Sequence, residues 1–439
     1  MMKYLLLFFL FITTTITKAQ DALTFSDCLN QALANNLKIK SAGFDERAAS
    51  YQRRASYGKL LPNVFADAEN RNSWGKEIDA DTNLFVNQEV RNTEGTVNAF
   101  FTLFQGFSVL SSIMIAKQNL EISKTNVQRI KNAVTVELAQ RFITALYLQE
   151  IIEANEEQIK ASDKQLELGT LKFDSGVISE SEVFKIRSQK ANEELRLLTS
   201  QNQLIENVIA LKQLMNMPLD KEIVLVKPQL TLNYNVALEE DQESLAERAV
   251  KINPLYKISL LEQQKAKYEV SLARAPTLPT ITLRLLYRTN YSTGDFAEIP
   301  FYEQVDENSL RGIRFYLIIP IFSQFNNLGK IKTSKMRYEQ TKVETQMQRN
   351  AFSSEVLKAI RDAKTSLKKN ESSAAAFEFS QKSYDADALK FELGKININE
   401  LNTSKLLFNS NQAQLIQAKY ELLFNNALIK FYLGEEFSL

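Results

Sequence analysis

Side chains that perform enzyme chemistry are scarce in this chain. Among its 439 residues there is no histidine and one cysteine, Cys28. These absences exclude Ser-His-Asp and Cys-His catalysis, most zinc sites and any disulfide within a single chain. No nucleotide-binding or metal-binding pattern occurs, so we expect no cofactor, no metal and no enzyme. The 53 basic residues are balanced by 52 acidic ones, which gives no reason to expect a nucleic-acid partner.

The acidic residues with distinctive positions belong to a repeated segment. Residues 171–182, LKFDSGVISESE, return as residues 389–400, LKFELGKININE, at an offset of 218 positions (391 − 173). In each copy an acid, Glu182 or Glu400, follows a glycine by six residues. Such a carboxylate can attract cations, or it can be a first-turn acid that the helix dipole favours. The sequence leaves both roles open.

Each copy of the segment ends a very long stretch without glycine or proline. These stretches, residues 107–168 and 330–393, are long enough for helices of about 90–95 Å at 1.5 Å per residue. Apolar residues follow the seven-residue step of a coiled coil, as in Ile113, Leu120, Val127 and Val134. We therefore expect an elongated molecule built on coiled-coil helices.

The glycines of the repeated segment mark a reversal of the chain. Gly176 and Gly394 are expected to supply the positive φ of a helix-to-helix turn. Shorter helices are predicted after them, over residues 179–217 and 395–433. The repeat then divides the chain into a first unit over residues 20–218, a linker over 219–243 that packs outside the helices, and a second unit over 244–439.

Each unit also predicts an initial helix followed by two strands. The helices cover residues 23–60 and 244–274, and each stops at a Leu-Pro pair. Alternating apolar residues then predict strands of about 9–12 residues, the length of a transmembrane β-strand. The predicted strands cover residues 63–74, 97–103, 281–291 and 313–319, with a polar loop over 292–308.

The predicted strands have one apolar face with aromatic residues near its ends. The opposite face carries Arg284, Arg288 and Arg314, which suits strands that line the lumen of a membrane barrel. Half-buried strands of a soluble sheet are the alternative, and the arginines can pair with acids across strands as well as select ions. Membrane barrels need about eight strands or more, so four strands from one chain are expected to close by oligomerisation.

The first residues predict a secretory signal peptide over residues 1–19. Lys3 precedes a short apolar run, and Thr17-Lys18-Ala19 provides a cleavage site after Ala19. A membrane anchor is the alternative, but the run is shorter than the ~20 residues that span a bilayer. Cys28 follows Ser26-Asp27 rather than the apolar and small residues of a lipobox, so we expect a buried thiol without lipid.

Several motifs recur in the same order in both units. They are the helix starts Ala32-x-x-x-Asn36 and Ala249-x-x-x-Asn253, the pairs Leu61-Pro62 and Leu278-Pro279, the strand exits Leu103-Phe104-Gln105-Gly106 and Pro320-Ile321-Phe322, and the two Phe-x-x-Gly turns. Through these motifs the chain resembles the TolC family of outer-membrane efflux proteins, also called outer membrane factors. No single motif is specific, but their order and common offset are.

The resemblance implies a mainly α protein with a membrane β-barrel portion. In that family three protomers form one 12-stranded barrel, with four transmembrane strands per chain, continued into the periplasm by an α-barrel of coiled-coil helices. The implied function is a passive exit duct in the outer membrane, working with an inner-membrane transporter and a periplasmic adaptor that meets the tips at Gly176 and Gly394. The outer component of type I protein secretion and a structural coiled-coil envelope protein without a pore are the alternatives.

The resemblance also implies roles for residues near the tips. Glu400 matches an acid that rings the periplasmic aperture, and a second acidic ring falls at Thr403, which carries no charge. Phe391 and Ile396 stand where relatives place a Tyr and an Arg that lock the entrance to the first tip, while Glu182 keeps the acid of that tip. An apolar closure is therefore expected in place of a polar lock.

Overall fold

A computed structural model describes residues 21–78, 84–228, 241–293 and 299–439. The predicted signal peptide lies outside the described residues, as does part of the predicted linker. Contacts divide the chain into two units. The first, here called the tip unit, contains Lys131–Ala246, Val356–Leu439 and the N-terminal residues as far as Ile39; the second, the sheet unit, contains Lys40–Ile130 and Glu247–Glu355.

Each predicted initial helix is in fact two helices separated by an asparagine. Helices α1 (Phe25–Asn35) and α2 (Leu37–Gly58) meet at Asn36. The Asn36 Oδ1 atom accepts hydrogen bonds from the backbone N–H groups of Lys38 (2.9 Å) and Ile39 (3.4 Å). Asparagine is a preferred N-cap because its side chain satisfies these otherwise unpaired donors.

The Ala-x-x-x-Asn motif is therefore not a helix start, and this prediction is wrong. Its asparagine ends the first helix and caps the second. In the second repeat, α5 (Gln242–Ile252) and α6 (Pro254–Arg274) meet at Asn253 in the same way.

The linker contributes a strand that periodicity could not predict. Strand β4 (Ile223–Leu225) pairs in parallel with β1 (Asp21–Leu23), and the two form a two-stranded sheet in the tip unit. Three residues are too few to display an alternating pattern. The linker is thus partly built into the fold, with Leu225 buried.

Aromatic side chains anchor the N-terminal residues of the tip unit. The Phe25 ring of α1 lies 5.6 Å from the Phe142 ring and 5.7 Å from the Phe437 ring, centroid to centroid. Cys28 is fully buried beside them, as predicted, and burial raises the pKa of its thiol to about 12. The thiol therefore stays protonated and unreactive at neutral pH.

The sheet unit contains a four-stranded antiparallel sheet in the order β2-β3-β5-β6. Its strands are β2 (Asn63–Ile78), β3 (Phe85–Gln105), β5 (Thr280–Ser292) and β6 (Leu310–Ile318). The predicted strand lengths are right for the second repeat, with 13 and 9 residues, but wrong for the first, with 16 and 21. The β2–β3 hairpin continues through polar residues that lack an alternating pattern, because backbone pairing does not require one.

The predicted polar loop over 292–308 also contains regular structure. Helix α7 (Phe301–Glu307) begins directly after Pro300. Proline suits this position directly before the helix, because a backbone N–H there would have no partner within the helix and proline has none.

The two faces of the sheet differ as the sequence predicted. Residues directly opposite one another in neighbouring strands share a face, and the odd-numbered residues of β5 and β6 form a mainly apolar one, with Arg311 opposite Tyr287 near its end. On β6, Ile313, Phe315 and Leu317 are exposed by 70, 71 and 62%. The opposite, polar face carries Arg284, Arg288 and Arg314.

Four long helices complete the fold. They are α3 (Ser108–Asp174) and α8 (Asn326–Glu392), each of 67 residues, and α4 (Glu180–Leu214) and α9 (Ile398–Tyr432), each of 35. Helix α3 continues through Gly169, beyond its predicted end at residue 168. A Cβ atom on Gly169 would lie 2.6 Å from the Ile186 Cδ1 atom, so the glycine allows α4 to pack closely. Among the described residues, no helical stretch has the length and hydropathy needed to cross a bilayer.

Candidate functional site

The two helix-to-helix turns have the same backbone geometry. Gly176 has φ of 72° and Gly394 has φ of 70°, which confirms the predicted positive φ at both. In each turn the N–H of the residue after the glycine donates to a carbonyl five residues earlier, Val177 to Lys172 and Lys395 to Lys390, both at 2.8 Å. This pattern is the Schellman motif that ends α3 and α8.

Glu182 is used locally, within the first turn of α4. Its carboxylate accepts a hydrogen bond from the backbone N–H of Ser179 at 2.9 Å and forms a capping box with that residue. The negative charge also lies at the helix N-terminus, where the dipole favours it. The structure thus gives Glu182 a helix-capping role.

Glu400 occupies the matching position in α9 and is exposed. The N-cap residue Asn397 donates from Nδ2 to the Glu400 Oε1 atom at 2.7 Å and accepts from the Glu400 backbone N–H at 3.2 Å. Thr403, one turn later, is also exposed, and its hydroxyl donates to the Asn399 carbonyl at 2.8 Å. Of Glu400 and Thr403, Glu400 is therefore the residue that presents a charge to solvent.

Phe391 and Ile396 belong to an apolar cluster that joins the two tips within one chain. Phe391 is buried together with Ile186, Ile398 and Leu401, and Ile396 packs at the edge of the group. Ile186 of α4 belongs to the first repeat and the other four residues belong to the second, so the cluster packs the start of α4 against the second-repeat turn. It is here called the tip cluster.

A lysine from the first repeat covers the tip cluster. The Lys172 ammonium lies 4.6 Å from the centroid of the Phe391 ring and donates a hydrogen bond to the Phe391 carbonyl. A second link joins the Lys185 ammonium to the Asn399 Oδ1 atom at 3.0 Å. A cation over an aromatic face adds roughly 0.5–1 kcal/mol at an exposed site.

A buried ion pair that the sequence motifs do not predict lies farther along the same helices. The Lys405 ammonium of α9 lies 2.9 Å from the Glu193 Oε1 atom of α4, and the two side chains are 2% and 1% exposed. The Ser162 hydroxyl of α3 accepts from Lys405 and donates to Glu193. Gln189 donates to the Glu193 Oε1 atom at 3.0 Å. Lys405, Glu193 and Ser162 are here called the polar node.

The polar node connects helices from both repeats. On α8, burial and then the charge of Glu193 raise the pKa of the Tyr384 hydroxyl. A sequence signal existed: the series Ile186, Glu193, Ser200, Asn207 and Leu214 steps by seven along the buried face of α4. A charged residue in such a series indicates a buried partner on another helix.

The arginines of the sheet unit differ in their partners. The Arg284 Nε and Nη2 atoms donate to the Asn98 Oδ1 atom at 2.9 and 2.6 Å, and the guanidinium lies over the Phe100 ring. Asn98 in turn donates to the Thr96 hydroxyl at 2.9 Å, and Thr96 donates to the Asp67 Oδ1 atom at 2.6 Å. A chain of hydrogen bonds therefore crosses three strands on the polar face.

The other two arginines have different neighbours. Arg314 stands directly opposite Arg284 in the β5–β6 pairing, and both guanidinium groups hydrogen-bond to the Tyr316 hydroxyl. Arg288 stands opposite Thr96. Within the residues that the structure describes, no carboxylate lies within ion-pair distance of Arg284, Arg288 or Arg314. The polar face of the β5–β6 hairpin is consequently cationic.

Comparison with known proteins gives consistent matches. A family model described as outer membrane efflux protein matches residues 28–217 and 245–435. The outer membrane protein TolC of Vibrio cholerae serotype O1 is 21% identical over 439 residues, covering 99% of this chain and 96% of that protein.

Solved structures share the fold. The CmeC outer membrane channel of Campylobacter jejuni superposes with a TM-score of 0.82 at 17% identity, covering 94% of this chain and 87% of that one. The outer membrane protein VceC of Vibrio cholerae has a TM-score of 0.79 at 16% identity, covering 94% and 97% of the two chains.

Proposed function

Because the chain belongs to the outer membrane efflux protein family, we propose that three copies of it form the exit duct of a tripartite efflux system. The duct passively conducts substrates from an inner-membrane transporter and a periplasmic adaptor across the periplasm and the outer membrane. The family is a transport family rather than an enzyme family. The repeats over residues 20–218 and 244–439, joined by the linker over 219–243, are the two halves that each copy contributes to the wall.

The observation that carries this proposal is the four-stranded sheet with two free edges. Among the described strands, β2 and β6 pair on one side only. An unpaired backbone group in lipid costs several kcal/mol, so a sheet placed in a membrane must close. Three copies supply twelve strands, which is within the range of membrane barrels.

The apolar face supports a lipid environment for the sheet. Ile313, Phe315 and Leu317 lie mostly uncovered on one face, whereas soluble proteins rarely expose a continuous apolar surface of this kind. A non-pore coiled-coil protein would have no use for such a face. The family match likewise favours efflux over protein secretion.

The tips are the proposed periplasmic entrance. Three Glu400 carboxylates around a threefold axis would attract cations and resist anions, while Thr403 adds no charge to the ring. Phe391 and Ile396, in the tip cluster, hold the second-repeat tip against the first near Glu182. The turns at Gly176 and Gly394 are the proposed contacts of the adaptor, and Arg284, Arg288 and Arg314 line the barrel lumen.

Extraction from cell envelopes tests the proposal. A barrel that spans lipid should stay in the outer-membrane fraction through washes with high salt and with alkaline carbonate, and should enter solution only in detergent. The solubilised protein should then sediment as a trimer. Release of the protein by salt or carbonate, or a well-behaved monomer in plain buffer, would overturn the proposal.

A further inference from the structure

Each of the two hairpins of the sheet carries a pair of like charges. The pair is acidic in the β2–β3 hairpin and basic in the β5–β6 hairpin. On the polar face, Glu69 of β2 stands directly opposite Glu94 of β3, and Arg314 of β6 stands directly opposite Arg284 of β5. Like charges directly opposite each other in a sheet are destabilising. Within the described part of the chain, no cation lies within ion-pair distance of Glu69 or Glu94. The β2–β3 hairpin therefore holds an acidic pair on this face, and the β5–β6 hairpin holds a basic pair.

The repeat defines which residues would meet if a second copy extended the sheet. The β2–β3 pairing begins at Asn63 opposite Phe100, and the β5–β6 pairing begins at Thr280 opposite Ile318. The hairpins are therefore equivalent at an offset of 217 for the first strand (280 − 63) and 218 for the second (318 − 100). By this equivalence, the observed pairing of β3 with β5 is the template for pairing of β6 with β2 of the next copy.

The template places specific residues across the seam. In the observed pairing, Asn98 stands opposite Leu286. Their equivalents are Tyr316 and Glu69, so Tyr316 would stand opposite Glu69 of the partner subunit. Arg314, two residues earlier on the same face, would be the diagonal neighbour of Glu69 of the partner subunit, a spacing that a long side chain can bridge.

A second contact follows from the same equivalence. The observed hydrogen bonds from Arg284 to Asn98 cross the intrachain seam diagonally. Their equivalents join Asp67 of the partner subunit to Tyr316, a carboxylate and a hydroxyl that can share a hydrogen bond. Directly across from Arg314 stands Arg71 of the partner subunit, which leaves Glu69 of the partner subunit flanked by two guanidinium groups.

In the proposed duct β6 of one copy meets β2 of the next, and we propose that in this register Arg314 and Tyr316 bind Glu69 and Asp67 of the partner subunit on the lumen face. The inference rests on the proposed duct and specifies how its subunits recognise one another. A second copy is the occupant because β2 and β6 are the two free edges of the described sheet, run in opposite directions as antiparallel pairing requires, and bring Glu69 close to Arg314. A lone subunit cannot satisfy its own edges in this way.

Charge reversal tests the ion pair. Glu69→Arg replaces the like-charged intrachain pair with Glu94 by an opposite one, so it should not weaken its own hairpin. It should nevertheless lower the temperature at which trimers dissociate in mild detergent, because it places an arginine beside Arg314 across the seam. Adding Arg314→Glu, which likewise stands opposite Arg284 within its own hairpin, restores opposite charges across the seam and should recover most of the loss. Arg288→Glu, on the same face but on an interior strand, is the matched control and should leave the temperature unchanged.

Disulfide cross-linking tests the register without relying on charge. Tyr316→Cys combined with Glu69→Cys places two thiols directly opposite each other, at a spacing that suits a disulfide. Oxidation should give covalent ladders up to the trimer. The control combines Tyr316→Cys with Ser73→Cys, four residues farther along β2, and should give none. The native Cys28 is buried and should not interfere.

The outcomes separate this inference from the proposed function. The register would be rejected if trimers form normally but the control pair cross-links and the Tyr316 and Glu69 pair does not. That result would leave the duct standing. A Glu69→Arg variant whose trimers dissociate at the wild-type temperature would reject the ion pair. Absence of any oligomer in wild-type protein would instead reject the duct itself.

Discussion

Replacing Lys405 by methionine is expected to destabilise the helical part of the protein by about 3–5 kcal/mol, the usual cost of leaving one member of a buried ion pair without its partner. Glu193 would keep hydrogen bonds from Ser162 and Gln189 but would lose the only cation within ion-pair distance among the described residues. The melting temperature of the helices, followed by far-ultraviolet circular dichroism in detergent, measures the loss.

Two further variants make this prediction specific. Lys419→Met is the matched control on the same helix, because Lys419 pairs with Glu150 at 3.0 Å but both side chains are about one-quarter exposed; its loss should be much smaller. The double variant Lys405→Met with Glu193→Met should recover much of the stability, since paired apolar side chains replace the buried charges. Equal losses for Lys405→Met and Lys419→Met would contradict the assignment of the polar node.

Replacing Phe391 by alanine is expected to open the periplasmic entrance. The ring is 3% exposed at the centre of the tip cluster, and removal of a buried phenylalanine ring costs about 3–5 kcal/mol of packing free energy. That loss falls on the contact between the two tips, so the mean conductance in planar bilayers should rise. Ile396→Arg, which forces a charge into the edge of the same cluster, should act in the same direction.

The control for the tip cluster lies on the same helix. Phe379→Ala removes the same ring from a position that is 67% exposed and should leave the conductance at the wild-type value. If Phe391→Ala and Ile396→Arg both conduct like the wild type, the tip cluster is not the closure, although the fold and the duct would stand.

Much of the fold could be predicted from the sequence because its local signals are strong. Gly176 and Gly394 were recognised as turn residues since positive φ is costly for other residue types, and the structure has φ of 72° and 70° there. Long stretches without glycine or proline predicted α3 and α8. Alternation predicted β5 and β6, where each face has one chemical character.

Other features depended on contacts that a linear pattern does not contain. Asn36 interrupts a helical pattern because its side chain caps the next helix, and the sequence pattern alone suggested a helix start. Gly169 does not end α3, since tertiary packing against Ile186 outweighs its low helix propensity. The pairing of β1 with β4 joins segments about 200 residues apart and leaves no local trace.

Some features of the candidate site could likewise be predicted from the sequence, and others could not. The matched positions of Glu182 and Glu400 could be read from the repeat, but their different local partners, a capping box and an asparagine side chain, could not. The polar node could not be predicted from the apolar heptad pattern, because Lys405 and Glu193 are charged. Register on the sheet, which places Arg314 opposite Arg284, likewise becomes visible only with the strand pairing.

If copies of this chain enclose a water-filled passage through the outer membrane, purified wild-type trimers should conduct ions in planar lipid bilayers. We predict small, discrete current steps that favour cations, with the cation preference weakened by Glu400→Ala. Trimers that insert into the bilayer but carry no current above background, both as wild type and as Phe391→Ala, would contradict the claim.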